Sequence, residues 1–307
     1  MKKILLGLFF AFTLVITGCS VEGQNTEVTQ KAETEKPANE LKIGVSISTL
    51  NNPFFVSVRD GLQEVADANK AEIIIYDAQN DSSTQSNQID DLLQQNVDMI
   101  IVNPVDSQAI STSIQSINAA NIPVIAVDRG ADEGKLVSLV ASNNVEGGKM
   151  AGEYMLEKLG ENPKIIQLEG IPGASSTRER GEGFAQATEN KIELLGSQTA
   201  NFDRAEGMTV MENLLQANPE VQGVFAQNDE MALGAAEAIK AGGKDIVIVG
   251  FDGTEDAIKA VEGGTLDATV AQKPLDMGKI AMQAAIDYFA GKEIEENIAS
   301  PLELIKK

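Results

Sequence analysis

The sequence predicts an α/β protein of two lobes, each built on an open parallel sheet. Two observations predict it. Along residues 41–307, short runs rich in Val and Ile alternate with helical patterns such as "NQIDDLLQQN" (87–96) and "MTVMENLLQAN" (208–218). Such alternation implies βαβ units and parallel strands. The runs also fall into two series, dividing near Asn143 and Asn144, and the stretch is long enough for two domains of ordinary size with a sizeable core.

The first series reads "KIGVSIS" (42–48), "AEIIIYDA" (71–78), "DMIIVNP" (98–104), "PVIAVD" (123–128) and "LVSLVAS" (136–142). The second reads "KIIQLEG" (164–170), "ELLGSQTA" (193–200), "GVFAQN" (223–228), "IVIVGFD" (246–252) and "DATVAQ" (267–272). Most are near-continuous apolar runs, as expected of parallel strands covered on both faces. No short-period repeat is visible, which argues against a solenoid.

The first strand–helix junction, "SISTLNNPFFVSVRDGLQEVA" (46–66), shows how this pattern places chemistry. Asn52 suits a helix N-cap and Pro53 the first helical position. Phe55, Val58, Leu62 and Val65 recur at helical spacing and share a face, while Phe54 points elsewhere. Both rings lie just beyond the carboxyl end of a strand, the rim where ligands bind in open α/β sheets. In the first lobe that rim also carries Ser48, Asn103-Pro104, Asp128-Arg129 and Ser142-Asn143-Asn144. In the second it carries Ile171, Asn228-Asp229, Phe251-Asp252 and Gln272. Arg180 opens the helical "RGEGFAQA", and Phe202 follows the strand ending near Ala200.

Each residue has a structural reading beside the functional one. Phe55 continues a core stripe, Asp128-Arg129 suits a surface ion pair, Asn228 and Asp252 suit helix caps, and "RERGEG" suits a solvated helix start. The functional reading gains from recurrence: the same residue types stand at the same end of successive strands in both lobes. Amides, two Asp, two Arg and aromatic rings fit a small neutral polyol. Asp accepts from hydroxyls, Arg donates through a planar fork, Asn and Gln do both, and flat rings cover the C–H face of a sugar. A phosphorylated ligand would want a Gly-rich cradle at a helix N-terminus, and no GxxxxGK[ST] or GxGxxG follows a strand.

Composition removes other classes. The chain has no His and one Cys, so His/Cys metal sites, Ser–His or Cys–His catalysis and an intrachain disulfide are unavailable; no cofactor is expected. The formal net charge is −22, which disfavours nucleic acid and anionic membrane surfaces as partners. Residues 1–18 read as a signal peptide, with Lys2 and Lys3 ahead of an apolar run too short to span a membrane with ordinary flanks. The ending "VITGC" resembles a lipobox, which implies cleavage before Cys19 and a lipid on its thiol; an ordinary secreted protein with a stray thiol is the alternative. Residues 19–40 are polar and read as a flexible tether.

The blocks "STLNNPFFVSVRDG", "VDRGA", "SNNVEGG", "RERGEGF", "NFDR", "VFAQNDEMALGA", "VGFDGT" and "AQKP", in this order, resemble the D-ribose-binding branch of the periplasmic binding protein family over essentially all of 41–307. The resemblance implies a type I architecture of two doubly wound parallel-sheet lobes, joined by a three-segment hinge and closing over sugar. It implies an N-terminal lobe of 41–142 plus 273–301 and a C-terminal lobe of 143–272 plus 302–307. It implies ligand contacts from Asn52, Phe54, Phe55, Asp128 and Arg129 in the first lobe. In the second they come from Arg180, Phe202, Asn228, Phe251, Asp252 and Gln272, with Ser48, Ser142 and Ile171 lining the pocket. Asn143 departs from the Asp expected in that branch, and it falls at the hinge.

The function implied is a lipid-anchored, monomeric receptor of an ABC importer, without catalysis, delivering D-ribose to a membrane permease, with a chemoreceptor as a further candidate partner. The alternatives are another monosaccharide such as allose, or a furanose-like signalling molecule. More remote are a sugar- or nucleoside-processing enzyme using Asp128 and Asp252 as acid and base, and a sugar-responsive transcription regulator, which would need a DNA-binding helix pair before residue 41.

Overall fold

The computed structural model describes residues 34–307 together with Thr29, Gln30 and Ala32. The expected signal peptide (1–18) and Cys19 lie outside the described residues. All the expected strands form. In the first lobe they are β1 (Lys42–Ile47), β2 (Glu72–Asp77), β3 (Met99–Val102), β4 (Val124–Val127) and β5 (Ser138–Ser142). In the second they are β6 (Lys164–Glu169), β7 (Glu193–Thr199), β8 (Gly223–Ala226), β9 (Val247–Asp252) and β10 (Ala268–Ala271). Four further strands among the described residues were not expected: β11 (Asn297–Ser300) and β12 (Glu303–Lys306), which extend the two sheets, and the two-residue runs Thr29–Gln30 and Ile294–Glu295, which pair with each other antiparallel. The first sheet runs β11-β5-β4-β3-β1-β2, all parallel, and the second β12-β10-β9-β8-β6-β7, parallel except for β12.

The apolar runs are continuous because both faces of each sheet are covered. Along β3, Met99 and Ile101 join the core beneath α1 (Pro53–Asn69) and α9 (Pro274–Phe289), while Ile100 and Val102 join that beneath α2 (Ser82–Gln94) and α3 (Ser111–Ala119). All four are fully buried, each contributing about 1.5–3 kcal/mol by transfer from water. In the second lobe, β8 sends Val224 and Ala226 toward α6 (Arg204–Ala217) and α7 (Asp229–Ala241). Its Phe225 faces α4 (Asn144–Leu159) and α5 (Ser175–Thr188), stacked on Phe184 with ring centroids 4.8 Å apart.

The chain crosses between sheets three times: from β5 to α4, from β10 to α9, which packs on α1, and from β11 to β12. These are the segments of the expected hinge. The last crossing explains the missed β11 and β12. They are short, partly exposed edge strands, and their pairing depends on the returning chain rather than on a local apolar pattern.

Two local expectations need correction. The flexible tether expected over 19–40 is docked in its last part. Lys36 pairs with the Asp98 carboxylate at 2.7 Å and its N–H donates to the Phe289 carbonyl, while Ala38–Glu40 forms a 3-10 turn. Arg180 does not open a helix. It lies inside α5, which begins at Ser175, because the buried Ser175–Thr177 stretch already has helical backbone although its sequence is polar. Two glycines seat that helix: a Cβ at Gly148 or Gly183 would run into the backbone of the facing helix, so both let α4 and α5 approach closely.

Candidate functional site

The carboxyl ends of the two sheets face each other across a small, tightly closed cavity. The first lobe lines it with Asn52, Phe54, Phe55, Asp128 and Arg129, and the second with Ser176, Arg180, Phe202, Asn228 and Asp252. All of them are buried. At the rim the lobes touch: Ser107 N–H donates to the Gly173 carbonyl at 3.0 Å, Ser175 N–H donates to Ser107 Oγ at 3.0 Å, and Gly130 N–H donates to Ser175 Oγ at 3.2 Å. Arg178 and Asp132 form an ion pair at 2.6 Å across the same seam. The molecule is therefore in a closed form.

In the first half-site, Asn52 caps α1 by accepting from the Phe54 N–H at 2.9 Å. Pro53 at the first helical position completes the expected start. The Phe54 and Phe55 rings meet edge to face with centroids 5.1 Å apart. The expectation that Phe54 points elsewhere is thus corrected: both rings reach the cavity and both join the first-lobe core, because the site lies at the end of α1 rather than along one of its faces. Asp128 and Arg129 follow β4 directly. Arg129 Nη1 donates to the Pro104 carbonyl at 3.0 Å, and its Nε stands 3.5 Å from Asp128 Oδ2. Asn103 Nδ2 donates to the Val127 carbonyl at 3.0 Å and more weakly to Asp128 Oδ2 at 3.4 Å.

In the second half-site, Arg180 Nε donates to Asn144 Oδ1 at 2.9 Å and Nη1 to the Gln227 carbonyl at 2.7 Å. Its guanidinium lies 3.8 Å above the Phe251 ring and 3.6 Å from Asp252 Oδ1. Gln272 Nε2 donates to Asp252 Oδ1 at 3.0 Å. Asn228 caps α7 through Met231 and donates to the Phe202 carbonyl. Phe202 spans the halves, with Arg129 5.0 Å and Arg180 5.9 Å from its ring. A Cβ at Gly170 would overlap that ring, so glycine there makes room for it. Asp128, Phe202 and Asp252 all have positive φ, at 66°, 61° and 124°, a concentration of backbone strain at one place.

Burial dominates the electrostatics. It raises Asp128 above the usual carboxylate range, although Arg129 and Arg180 oppose it. It raises Asp252 further, with Arg180 opposing and the Asp229 and Asp128 charges adding to the rise. The Arg129 guanidinium is pulled down by burial to about 10, still charged at neutral pH. Four buried groups at or beside the cavity make no hydrogen bond among the described residues: Asp128 Oδ1, Arg129 Nε, Ser176 Oγ and Gln272 Oε1. A pocket that holds charge and leaves such valences open suits a ligand that both donates and accepts.

Nine of the fourteen expected ligand contacts line the cavity. Phe251 and Gln272 stand one layer behind, under Arg180 and against Asp252. Ser48, Ser142 and Ile171 stand at the strand ends outside the lining; the Ser48 and Ser142 hydroxyls are buried without partners, and Ile171 packs on the second-lobe core. Asp252 is not the cap of its helix, a role taken by Thr254. Gln227 and Ser176 were missed, and Asn144 was placed on the rim but not recognised as the acceptor for Arg180. Ser176 had a usable signal, since "ASSTRER" follows the strand ending in "LEG", the position read as the rim elsewhere.

A family model for a periplasmic binding protein domain matches residues 43–293. The ribose import binding protein RbsB of Bacillus subtilis is 48% identical over 304 residues, 99% of this chain and 99% of that protein. Its namesake from Escherichia coli is 47% identical over 267 residues, 86% of this chain and 90% of that protein. Among solved structures, an ABC transporter solute binding protein from Bacillus halodurans, with bound myo-inositol, superposes with a TM-score of 0.82 at 36% identity, covering 87% of this chain and 94% of its own.

Proposed function

The chain belongs to the periplasmic binding protein domain family, and on that premise we propose that it is the D-ribose receptor of an ABC importer. The observation that carries this reading is the pair of half-sites. Each lobe contributes one buried Asp–Arg pair and at least one aromatic ring to the same small cavity. Sugar hydroxyls complete the open valences of Asp128 and Arg129, while Phe54, Phe55 and Phe202 cover the apolar faces of the ring. Neither lobe alone supplies the full set, so sugar stabilises the closed form by its differential affinity. Closure also withdraws two Asp and two Arg from water, a cost that is offset when ligand hydroxyls satisfy them.

The ribose assignment is supported by the names of the relatives that match nearly the whole chain. A different polyol is the second reading, favoured by the myo-inositol held by the structural neighbour. Isothermal titration with D-ribose, allose, xylose, arabinose, galactose, glucose and myo-inositol separates them. Tight one-to-one binding of ribose alone is expected, and selective binding of another of these compounds would replace ribose while keeping the clamp.

The reading extends to delivery. The receptor works without catalysis outside the cytoplasm, as a monomer, and hands ribose to a membrane permease; a chemoreceptor is a further reader of the closed form. It is exported by residues 1–18 and held to the membrane by lipid on Cys19. No helix among the described residues is long and apolar enough to cross a membrane, and the "VITGC" motif supports the anchor. Loss of membrane retention in Cys19→Ala is the expected result; retention unchanged in that variant would sink the anchor.

A further inference from the structure

Ser176 is the one residue lining the cavity that the sequence did not single out. It is 1% exposed, and its Oγ has no hydrogen-bond partner among the described residues. A serine within a helix ordinarily returns its hydroxyl to the carbonyl four residues back, as Thr188 does to Phe184. Ser176 is the second residue of α5 and has no helical carbonyl behind it. Its neighbour Ser175 is engaged in the seam between the lobes, whereas Ser176 faces the cavity. Arg180 lies four residues on, so the hydroxyl and the guanidinium rise from the same face of α5. A buried hydroxyl without a partner is unfavourable, and the cavity is the direction from which a partner reaches this one.

We propose that Ser176 is a specificity-determining residue, its Oγ hydrogen-bonding one hydroxyl of the bound sugar. This rests on the sugar-receptor reading above. The Asp–Arg pairs supply charged recognition at both sides of the cavity, and Ser176 adds a neutral contact that both donates and accepts. It therefore distinguishes sugars by the presence and position of a single hydroxyl rather than by overall polarity.

The test is a set of titrations of the full chain and its Ser176→Ala variant with D-ribose and with ribose analogues that each lack one hydroxyl. Ser176→Ala should weaken D-ribose about tenfold, the scale of one hydrogen bond. It should have no effect on one analogue, the one lacking the hydroxyl that Ser176 contacts, and should weaken the others by the same factor as ribose. Unchanged affinity for ribose overturns the proposal. So does an equal loss on every analogue, which would mark a purely structural role. If the parent protein binds another monosaccharide instead, the ribose reading fails by itself, and the same comparison on deoxy analogues of that sugar still decides Ser176. A parent protein that binds no sugar overturns both.

Discussion

The two half-sites use the same residue types in different states of readiness. Arg180 is held within its own lobe by Asn144, the Gln227 carbonyl, the Phe251 ring and Asp252. Arg129 has two backbone carbonyls, of Pro104 and Val105, at 3.0 and 3.4 Å, and leaves its Nε without a hydrogen bond. Its closest rings are Phe55 at 5.1 Å and Phe202 of the other lobe at 5.0 Å. The second lobe thus presents a preassembled arginine, whereas the Asp128–Arg129 pair of the first keeps open valences on both members that ligand and closure complete. Preorganisation on one side lowers the ordering cost of binding, and incompleteness on the other makes closure depend on ligand.

The largest effect should come from removing the preassembled arginine. Arg180→Ala should cost at least about 1.5–3 kcal/mol of sugar binding, the scale of a charged hydrogen bond. It also leaves Asp252 buried without its cation, so stability should fall by about 3–5 kcal/mol. Arg129→Ala should weaken binding on the same scale but lower stability less, because fewer groups depend on it. Titration and urea unfolding of both variants check this, and equal stability losses would break the contrast between the halves.

The rim positions of Asn52, Asp128, Arg129, Asn228 and Asp252 were legible in the sequence because strand ends follow from apolar runs and ligand-binding rims follow from strand ends. Asn144 stood on that rim too, but its role and that of Gln227 were not legible, because they are set by how two helices and a neighbouring strand meet. Gly148 and Gly183 bring α4 against α5, and only then does Asn144 stand beside Arg180. Spacing along one element could place Arg180 on a helix but could not show what holds its guanidinium. The helix start was misjudged for a related reason: "ASSTRER" lacks an apolar face, and its burial comes from the opposing lobe at the seam. The missed β11 and β12 likewise owe their pairing to a distant part of the chain.

A sharper test of preassembly is the positioning residue. Asn144→Ala removes the acceptor for Arg180 Nε and the donor to Glu179 without touching the cavity. Sugar affinity should fall about tenfold, near 1.4 kcal/mol. In an Arg180→Ala background the same change should cost little, since the two act as a unit. Additive losses in that double-mutant cycle would show that Asn144 acts on the fold rather than through Arg180.

The halves also differ in acid content. The second holds Asp229 behind Asp252, with Asp229 accepting from Thr254 N–H and Oγ1 and from Thr269 Oγ1. Burial pushes Asp229 up to about 6. The folded chain then holds a proton that the unfolded chain releases near pH 3.9, so this contribution to stability is full below about pH 4 and is lost as pH rises through about 6. Asp229→Asn removes the ionisation, and the stability of the variant relative to the parent should rise across that window. Unfolding curves between pH 4 and pH 7 measure it, and a constant difference would remove Asp229 from the titration.

The smallest effect concerns the seam rather than either half. Arg178 reaches from the second lobe to Asp132 of the first at 2.6 Å, but both side chains are well exposed, at 46% and 39%. An exposed pair contributes up to about 1 kcal/mol and is screened by salt. If the pair acts only on closure, Arg178→Ala should reduce sugar affinity by no more than about fivefold, mainly through faster release, and high salt should bring parent and variant together. A loss that persists in high salt would mean that Arg178 works through its second bond, to the Gly173 carbonyl at 2.8 Å. Since Gly173 also accepts from Ser107 across the seam, the backbone of that loop, rather than the ion pair, would then be what fastens the incomplete half-site to the preassembled one.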